Sequence, residues 1–431
     1  MKLIGIDIGT TSICGVSVDS ENGEIIKSVT KSNDSFISSA NSFEKIQNPE
    51  IIIECVHSII SELDITDAAA IGFSGQMHGI VYTDINGKAV SPLYIWQDER
   101  AAIDYKDGKS YAQHLGCFAG YGLATDFYNE INGIVPENAV KLCTIADYAV
   151  MNLCGLTEPL VHITNAASLG CFDISENRFI IENPRLPEVT AEFKAAGEYK
   201  GIPVCVALGD NQASFIGSVS NENDALVNVG TGSQISWLTD IPVESDVVEN
   251  RPFDGKRYLA AGCALCGGRA FAMLENFFRD IVNSVSDKSV DNCYSYLDKI
   301  LENKADSSLV ADCRFCGTRK DPSLRGSFSN VSEANFTPSD FAFAVLDGMA
   351  SELYNMYKCG GKSARKLVCS GNGIRKNAAL RRITSNMFGC EIEIPFYAEE
   401  ASYGAALTAS VACGIYESVD EACKLIKYKE N

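Results

Sequence analysis

Short runs dominated by apolar residues, over 3–8, 13–18 and 24–30, read as three consecutive strands, and Asn22-Gly23 before the third is a strong hairpin signal. Pro49 opens a helix through 63, with Ile51, Ile52, Cys55, Ile59 and Leu63 assigned to its apolar face. A short buried strand over 68–73 then ends at Ser74-Gly75-Gln76-Met77-His78-Gly79. Runs 80–83 and 89–93 pair about Asn86-Gly87 and deliver Ile95-Trp96-Gln97-Asp98-Glu99-Arg100. Residues 139–153 predict a helix that turns Asp147 and Tyr148 toward a cleft. A strand meander, a helix and another strand fit an α/β layer domain with its function at strand ends.

The acidic, polar run 220–224 marks the boundary between expected domains 1–220 and 221–431. Just before it, the apolar run 204–208 stops at Gly209-Asp210 and a helix of small residues follows. Asp210 then sits at a strand's C-terminal end and a helix's N-terminus, where free amides and the helix dipole favour a carboxylate. Beyond the boundary, 225–229 is a strand that turns at Gly230-Thr231-Gly232-Ser233 and returns over 234–238. Residues 240–257 read as loop, 269–282 and 293–302 as helices, and Pro338-Ser339-Asp340 caps a long helix to about 357. A strand over 367–370 leads through a tight turn at Gly371-Asn372-Gly373 to a helix that starts at Asn377. A strand over 391–394 precedes an alanine-rich helix over 401–413, in which Gly404 permits close packing.

One pattern occurs twice. Ile6-Asp7-Ile8-Gly9-Thr10-Thr11-Ser12 and Val227-Asn228-Val229-Gly230-Thr231-Gly232-Ser233 both read apolar, polar, apolar, Gly, Thr, small, Ser, half a chain apart. A repeat of that period suggests two similar domains facing each other, each offering one turn. Neither turn carries a lysine, but both offer glycine amides and hydroxyls, the groups of an anion-binding nest. Either turn alone would pass for an ordinary hairpin; the pair, with Asp210 between them, reads as two halves of a phosphate site.

The net charge of −20 argues against a nucleic-acid or anionic-membrane partner, which needs a basic face. No apolar run approaches the ~18 residues of a membrane span. At 431 residues the chain holds two or three domains. Seventeen cysteines, with no signal-peptide core after Met1-Lys2, read as reduced cytoplasmic thiols that act mostly as small buried groups. Cys263/Cys266 and Cys313/Cys316 form two CxxC pairs whose separation is far wider than a compact zinc ribbon requires; a zinc scaffold is the minor alternative.

Phosphoryl transfer to an alcohol needs a carboxylate near the hydroxyl, a divalent ion, and amides around the transferred group. Asp210 fits the first role, and Asp7, at the lip of the first turn, can reach a magnesium ion directly or through water. Gly371, Asn372 and Gly373 let a flat purine lie against backbone. Gln76, Met77 and His78 stand at a strand end between glycines, where ligands bind, although a lone histidine is more often simply a satisfied residue. Trp96 with Asp98 suits a polyol, the ring covering C–H faces while the carboxylate accepts from hydroxyls. The alternative for Trp96 is a core anchor.

The ordered segments GIDIGTTS, GQMHG, WQDER, GDNQAS, NVGTGS and SGNG resemble the FGGY carbohydrate kinases over nearly the whole chain. SGQMHGIVY, PLYIWQDER, YGLATDFY, TIADYAVMNLCG and NAASLGCFD are similar to the sedoheptulokinase branch, while GQMHG with WQD also resembles the xylulokinase branch. The resemblance implies an α/β fold of two duplicated actin-like ATPase (ribonuclease H-like) domains with a central cleft. It implies a cytoplasmic, ATP- and magnesium-dependent kinase acting on the terminal primary hydroxyl of a ketose, and it is compatible with a homodimer. By motif, Asp210 is the catalytic base and Asp7 serves magnesium. Thr10, Thr11 and Ser12, with Gly230, Thr231, Gly232 and Ser233, bind phosphates. Gly371, Asn372, Gly373 and Asn377 face the nucleotide, and Gln76, Met77, His78, Trp96, Asp98 and Asn211 meet the sugar. A non-catalytic sugar sensor on the same scaffold would not need Asp7, Asp210 and both turns together.

Overall fold

A computed structural model describes every residue except Lys288 and Asn431. The chain forms two compact units. The first comprises Met1–Asn221 with Arg251–Tyr258 and Glu399–Lys427, and the second Glu222–Asn250 with Leu259–Ala398 and Tyr428–Asn431.

In the first unit, Lys2–Ile8, Ser12–Asp19 and Ile25–Ser32 form the expected antiparallel meander. Ala68–Gly75 pairs parallel to Lys2–Ile8, and Ile202–Cys205 and Leu208–Gly209 add in parallel beyond it. The strand expected over 204–208 is therefore two short pieces. Helix Pro49–Leu63 starts on the side chain of Asn48, which accepts from the Glu50 amide. It buries Ile52, Ile53, Val56, Ile59, Ile60 and Leu63, whereas Ile51 points to solvent and Cys55 is only partly covered. Ile52, Ile59 and Leu63 are buried as expected, but Ile53, Val56 and Ile60 complete the stripe in place of Ile51 and Cys55. Residues 139–153 are not one helix. Lys141–Cys143 is a strand paired with Val81–Thr83, and Ile145–Cys154 starts afresh on a Thr144/Asp147 capping box. Asp147 and Tyr148 do not face a cleft; both are buried, and the Tyr148 hydroxyl donates to Glu50.

The alanine-rich helix Glu400–Ala412 packs on Lys2–Ile8, Ala68–Gly75 and Asp210–Ile216 of the first unit, although the domain boundary at 220 assigns it to the second. Glycines make this possible. A Cβ on Gly404 would stand 1.9 Å from the Ala213 carbonyl oxygen, and one on Gly5 would stand 1.8 Å from that of Ser402. Backbone meets backbone there, so no side chain can rotate away. Gly404→Ala is expected to cost about 3 kcal/mol, read as a lower urea midpoint; an unchanged midpoint would mean the helix does not sit at this distance.

The second unit repeats the topology. Ala225–Val229 is antiparallel to Ser233–Thr239 and parallel to Lys366–Ser370, which is followed by Glu391–Glu393. Tyr258–Ala264 and Val248–Pro252 extend the sheet beyond Ser233–Thr239, so part of the stretch expected as loop over 240–257 is a strand. Helices Gly268–Val285, Tyr294–Leu301, Pro338–Tyr357 and Ala378–Phe388 complete the layer.

Candidate active site

In the first unit the strand ends gather the acidic pair. Asp7 lies near the end of Lys2–Ile8 and accepts from Ser74 Oγ at 2.7 Å. Burial raises its pKa, and the Ser74 bond opposes that shift. Asp210 is the first residue of helix Asp210–Ile216, whose N-cap is Gly209. Its pKa is pushed up to about 7, first by burial and then by the charge on Asp7, with Arg251 and Asn211 pulling the other way. Asn211 Nδ2 donates to Asp210 Oδ1 at 2.8 Å and approaches Met77 Sδ at 3.4 Å.

Trp96 is not a core anchor. Its side chain is 46 % exposed, and its indole N–H donates to Thr10 Oγ1 at 3.0 Å. The Thr10 hydroxyl in turn donates to Gln76 Oε1 at 3.1 Å. With that hydroxyl engaged, the side chains the first turn leaves on the surface are those of Thr11 and Ser12. His78 has φ 74° and stacks on Tyr121 at 4.4 Å between centroids. Its Nδ1 lies 2.8 Å from the Ser168 carbonyl oxygen, an acceptor only, so Nδ1 carries a proton. Asp98 departs from the sequence expectation. It is fully buried, and its carboxylate accepts from Arg100 N–H, Nε and Nη2 and from the Lys45 N–H, so it braces the segment that carries Trp96 instead of facing outward with it.

The second unit contains a cavity of about 790 Å³, within the range of small-molecule sites. Gly230, Thr231, Asn372, Gly373 and Asn377 line it, as do residues the sequence did not single out: Gly268, Arg269, Phe271, Lys376 and Leu380 among them. Gly232, Ser233 and Gly371, expected at the same ligand, are not among the residues that line it. Gly371, at φ 82°, is the N-cap of a short helix, Asn372–Arg375, where a tight turn was expected. Asn377 caps Ala378–Phe388, its side chain accepting from the Leu380 amide at 2.8 Å. The N-terminus of the eighteen-residue helix Gly268–Val285 opens on the cavity beside the second Gly-Thr turn, with Arg269 and Lys376 as cations and Phe271, Leu346, Met349 and Leu380 as apolar walls. Amides at a helix start, two cations and apolar walls suit a phosphorylated, ring-bearing ligand.

Two family models match the chain: the N-terminal domain of the FGGY family of carbohydrate kinases over residues 2–112, and its C-terminal domain over 225–413. The chain belongs to that family. As an FGGY chain it is a sugar kinase, built on the two-domain actin-like fold of its solved neighbours. It is 25% identical to human sedoheptulokinase, covering 94% of this chain and 96% of that one. It is also 25% identical to the xylulose kinase of Lactococcus lactis, covering 99% and 91%. Among solved structures, a ligand-bound xylulose kinase from Lactobacillus acidophilus superposes with a TM-score of 0.84 at 20% identity, over 100% of this chain and 93% of that one. A Plasmodium falciparum glycerol kinase with ADP gives 0.75 at 18%, over 98% and 92%.

The two CxxC pairs of this FGGY chain meet where Cys266 hydrogen-bonds Cys316. Cys263 donates to Gln234, Cys313 donates to the Val345 carbonyl, and Arg269 donates to Cys316. Among the described residues, no three His, Cys, Asp or Glu side chains could hold an ion together. All seventeen cysteines are free, seven of them buried. Among the described residues no helix is long and apolar enough to cross a membrane.

Proposed function

We propose that the chain transfers the γ-phosphoryl group of ATP to the terminal primary hydroxyl of a ketose, and that the ketose is sedoheptulose, giving sedoheptulose 7-phosphate. One observation carries the catalytic part: the Asp210 carboxyl, at a helix start beside Asp7, is held near neutrality. A general base works best with its pKa near the working pH. As the sugar oxygen attacks phosphorus, Asp210 accepts its proton, and Asn211 keeps the carboxylate oriented. Trp96, Gln76, Met77, His78 and Asn211 receive the sugar, with the exposed indole covering its C–H face. Thr11, Ser12 and the amides of both turns hold phosphate oxygens, and the cavity behind Gly230–Thr231 holds the nucleoside. Asp7 is a hard oxygen ligand held in place by the Ser74 hydroxyl, which suits magnesium bound by a carboxylate together with substrate phosphates. When bound, that ion neutralises charge on the transferring group.

The similarity to sedoheptulokinases over nearly full length supports the seven-carbon sugar, and the Lactococcus lactis xylulose kinase, of equal identity, makes D-xylulose the second reading. ADP release measured side by side with sedoheptulose, D-xylulose, D-ribulose and glycerol tests both. The highest kcat/KM is expected for sedoheptulose. A preference for D-xylulose transfers the assignment, and no turnover of any of the four ends it.

A further inference from the structure

We propose that Gln47 is a positioning residue for the reaction, fixing in one closed ring of hydrogen bonds the side chains that meet the sugar and the turn that meets a phosphate. The inference rests on the sugar-kinase reading above and goes beyond it by adding a residue with no direct contact to either substrate.

Gln47 ends the two-residue strand Ile46–Gln47, which pairs with Phe36–Ile37 on one side and Leu93–Tyr94 on the other. It is wholly buried. Its Nε2 donates to the Thr10 carbonyl at 2.8 Å, and its Oε1 accepts from Gln76 Nε2 at 2.9 Å. Gln76 Oε1 accepts from Thr10 Oγ1 at 3.1 Å, so the path returns to the residue where it began. Trp96 Nε1 joins at the same hydroxyl, 3.0 Å away.

Closure fixes the direction of every bond. Only the nitrogen end of Gln47 can face the Thr10 carbonyl, so its oxygen must face Gln76. Gln76 must then present nitrogen to Gln47 and oxygen to the Thr10 hydroxyl. That hydroxyl has spent its one hydrogen, so toward Trp96 it can only accept. The exposed indole is thereby held by a group whose polarity is set two residues away, at Gln47. Open the ring at Gln47 and the Gln76 amide can turn over, the Thr10 hydroxyl can rotate, and the indole loses a fixed acceptor.

Gln47→Leu keeps the volume and removes both bonds. It is expected to raise the KM for sugar about tenfold, while the KM for ATP moves by less than about twofold. Trp96→Phe removes the indole N–H that the Thr10 hydroxyl holds, and in the Gln47→Leu/Trp96→Phe double variant the losses should be less than multiplicative, because the effect of Gln47→Leu runs through that bond. A wild-type sugar KM in Gln47→Leu, or losses that multiply in the double variant, would overturn the proposal. An independent readout is acrylamide quenching, which senses Trp96 because Trp237 is only 4% exposed. Gln47→Leu should quench more readily, and unchanged quenching counts against the ring whether or not the chain turns over sugar. If the wild type releases no ADP with any sugar, the sugar-kinase reading fails separately. Should Gln47→Leu not fold, Gln47→Asn, too short to span both partners, takes its place with the same expectations.

Discussion

Asp210→Asn is expected to abolish phosphorylation, lowering kcat by about a thousandfold or more, while sugar still binds. Asparagine fills the same space and can keep a bond to Asn211, so the helix start should survive. What it cannot do is accept a proton. The wild type should carry the matching signature in its pH profile. With the Asp210 carboxyl at about 7, kcat/KM should fall as pH drops through neutrality, because the protonated acid is no base. Stability should move in the opposite sense. The folded-state pKa lies above the ordinary carboxylate value of 3.8, so the folded chain holds this proton more tightly than the unfolded chain does. That contribution is fully present below about pH 4, and it is lost as pH rises through about 7. Asparagine never ionises beside Asp7, so the variant should melt higher than the wild type in mild alkali, and the two should converge in acid. An inactive, more stable variant identifies a group retained at a cost to the fold. Normal turnover would remove Asp210 from the role, and a variant less stable at every pH would show that the carboxylate was structural.

The sequence carried the plan of this molecule further than its details. Both Gly-Thr turns, the first antiparallel meander, the hairpin about the second turn and the strand-to-helix step at Asp210 follow from local signals, in which an apolar run ends at glycine. The full buried stripe of Pro49–Leu63 did not, because Ile51, Ile52 and Ile53 are consecutive and local pattern offers no choice among them. Asp98 looked like a ligand because it stands beside Trp96, yet which of two neighbouring polar groups is buried depends on Arg100 folding back onto it. Gln47 was invisible for a related reason. A glutamine between an isoleucine and an asparagine is unremarkable until Thr10, Gln76 and Trp96 arrive from distant positions. The lining of the second-unit cavity depends in the same way on helices that converge only in three dimensions. The placement of Glu400–Ala412 in the first unit has a sequence correlate in its small residues, but not one that says which sheet they approach.

In the second unit the largest expected effect comes from adding one methyl group. Gly267→Ala should raise the KM for ATP about a hundredfold, since a shift near 1 Å in a positioning element costs on that order. The backbone at Gly267 has φ −80°, so the difficulty is space and not left-handed geometry. A Cβ there would stand 2.3 Å from the Gly232 carbonyl carbon, 2.4 Å from its oxygen and 2.6 Å from the Ser233 nitrogen. None of these atoms belongs to a side chain that could rotate aside. The turn itself must move, and it is tied to the same helix start, with the Gly268 N–H donating to the Gly230 carbonyl at 2.9 Å and the Arg269 N–H to that of Thr231 at 3.1 Å. Pushing Gly232 outward therefore strains the bonds that seat Gly230 and Thr231 on the cavity rim. Sugar binding measured without nucleotide should stay at the wild-type value, since the residues assigned to the sugar belong to the first unit. Isothermal titration with ATP and with sugar separately reads both halves. Wild-type ATP affinity in Gly267→Ala would mean that the Gly-Thr turn is not what holds the nucleotide's phosphates. Loss of both affinities would point to general unfolding, which circular dichroism would reveal, and Gly268→Ala, whose Cβ would meet the Gly230 oxygen at 2.5 Å, would then repeat the test from the neighbouring position.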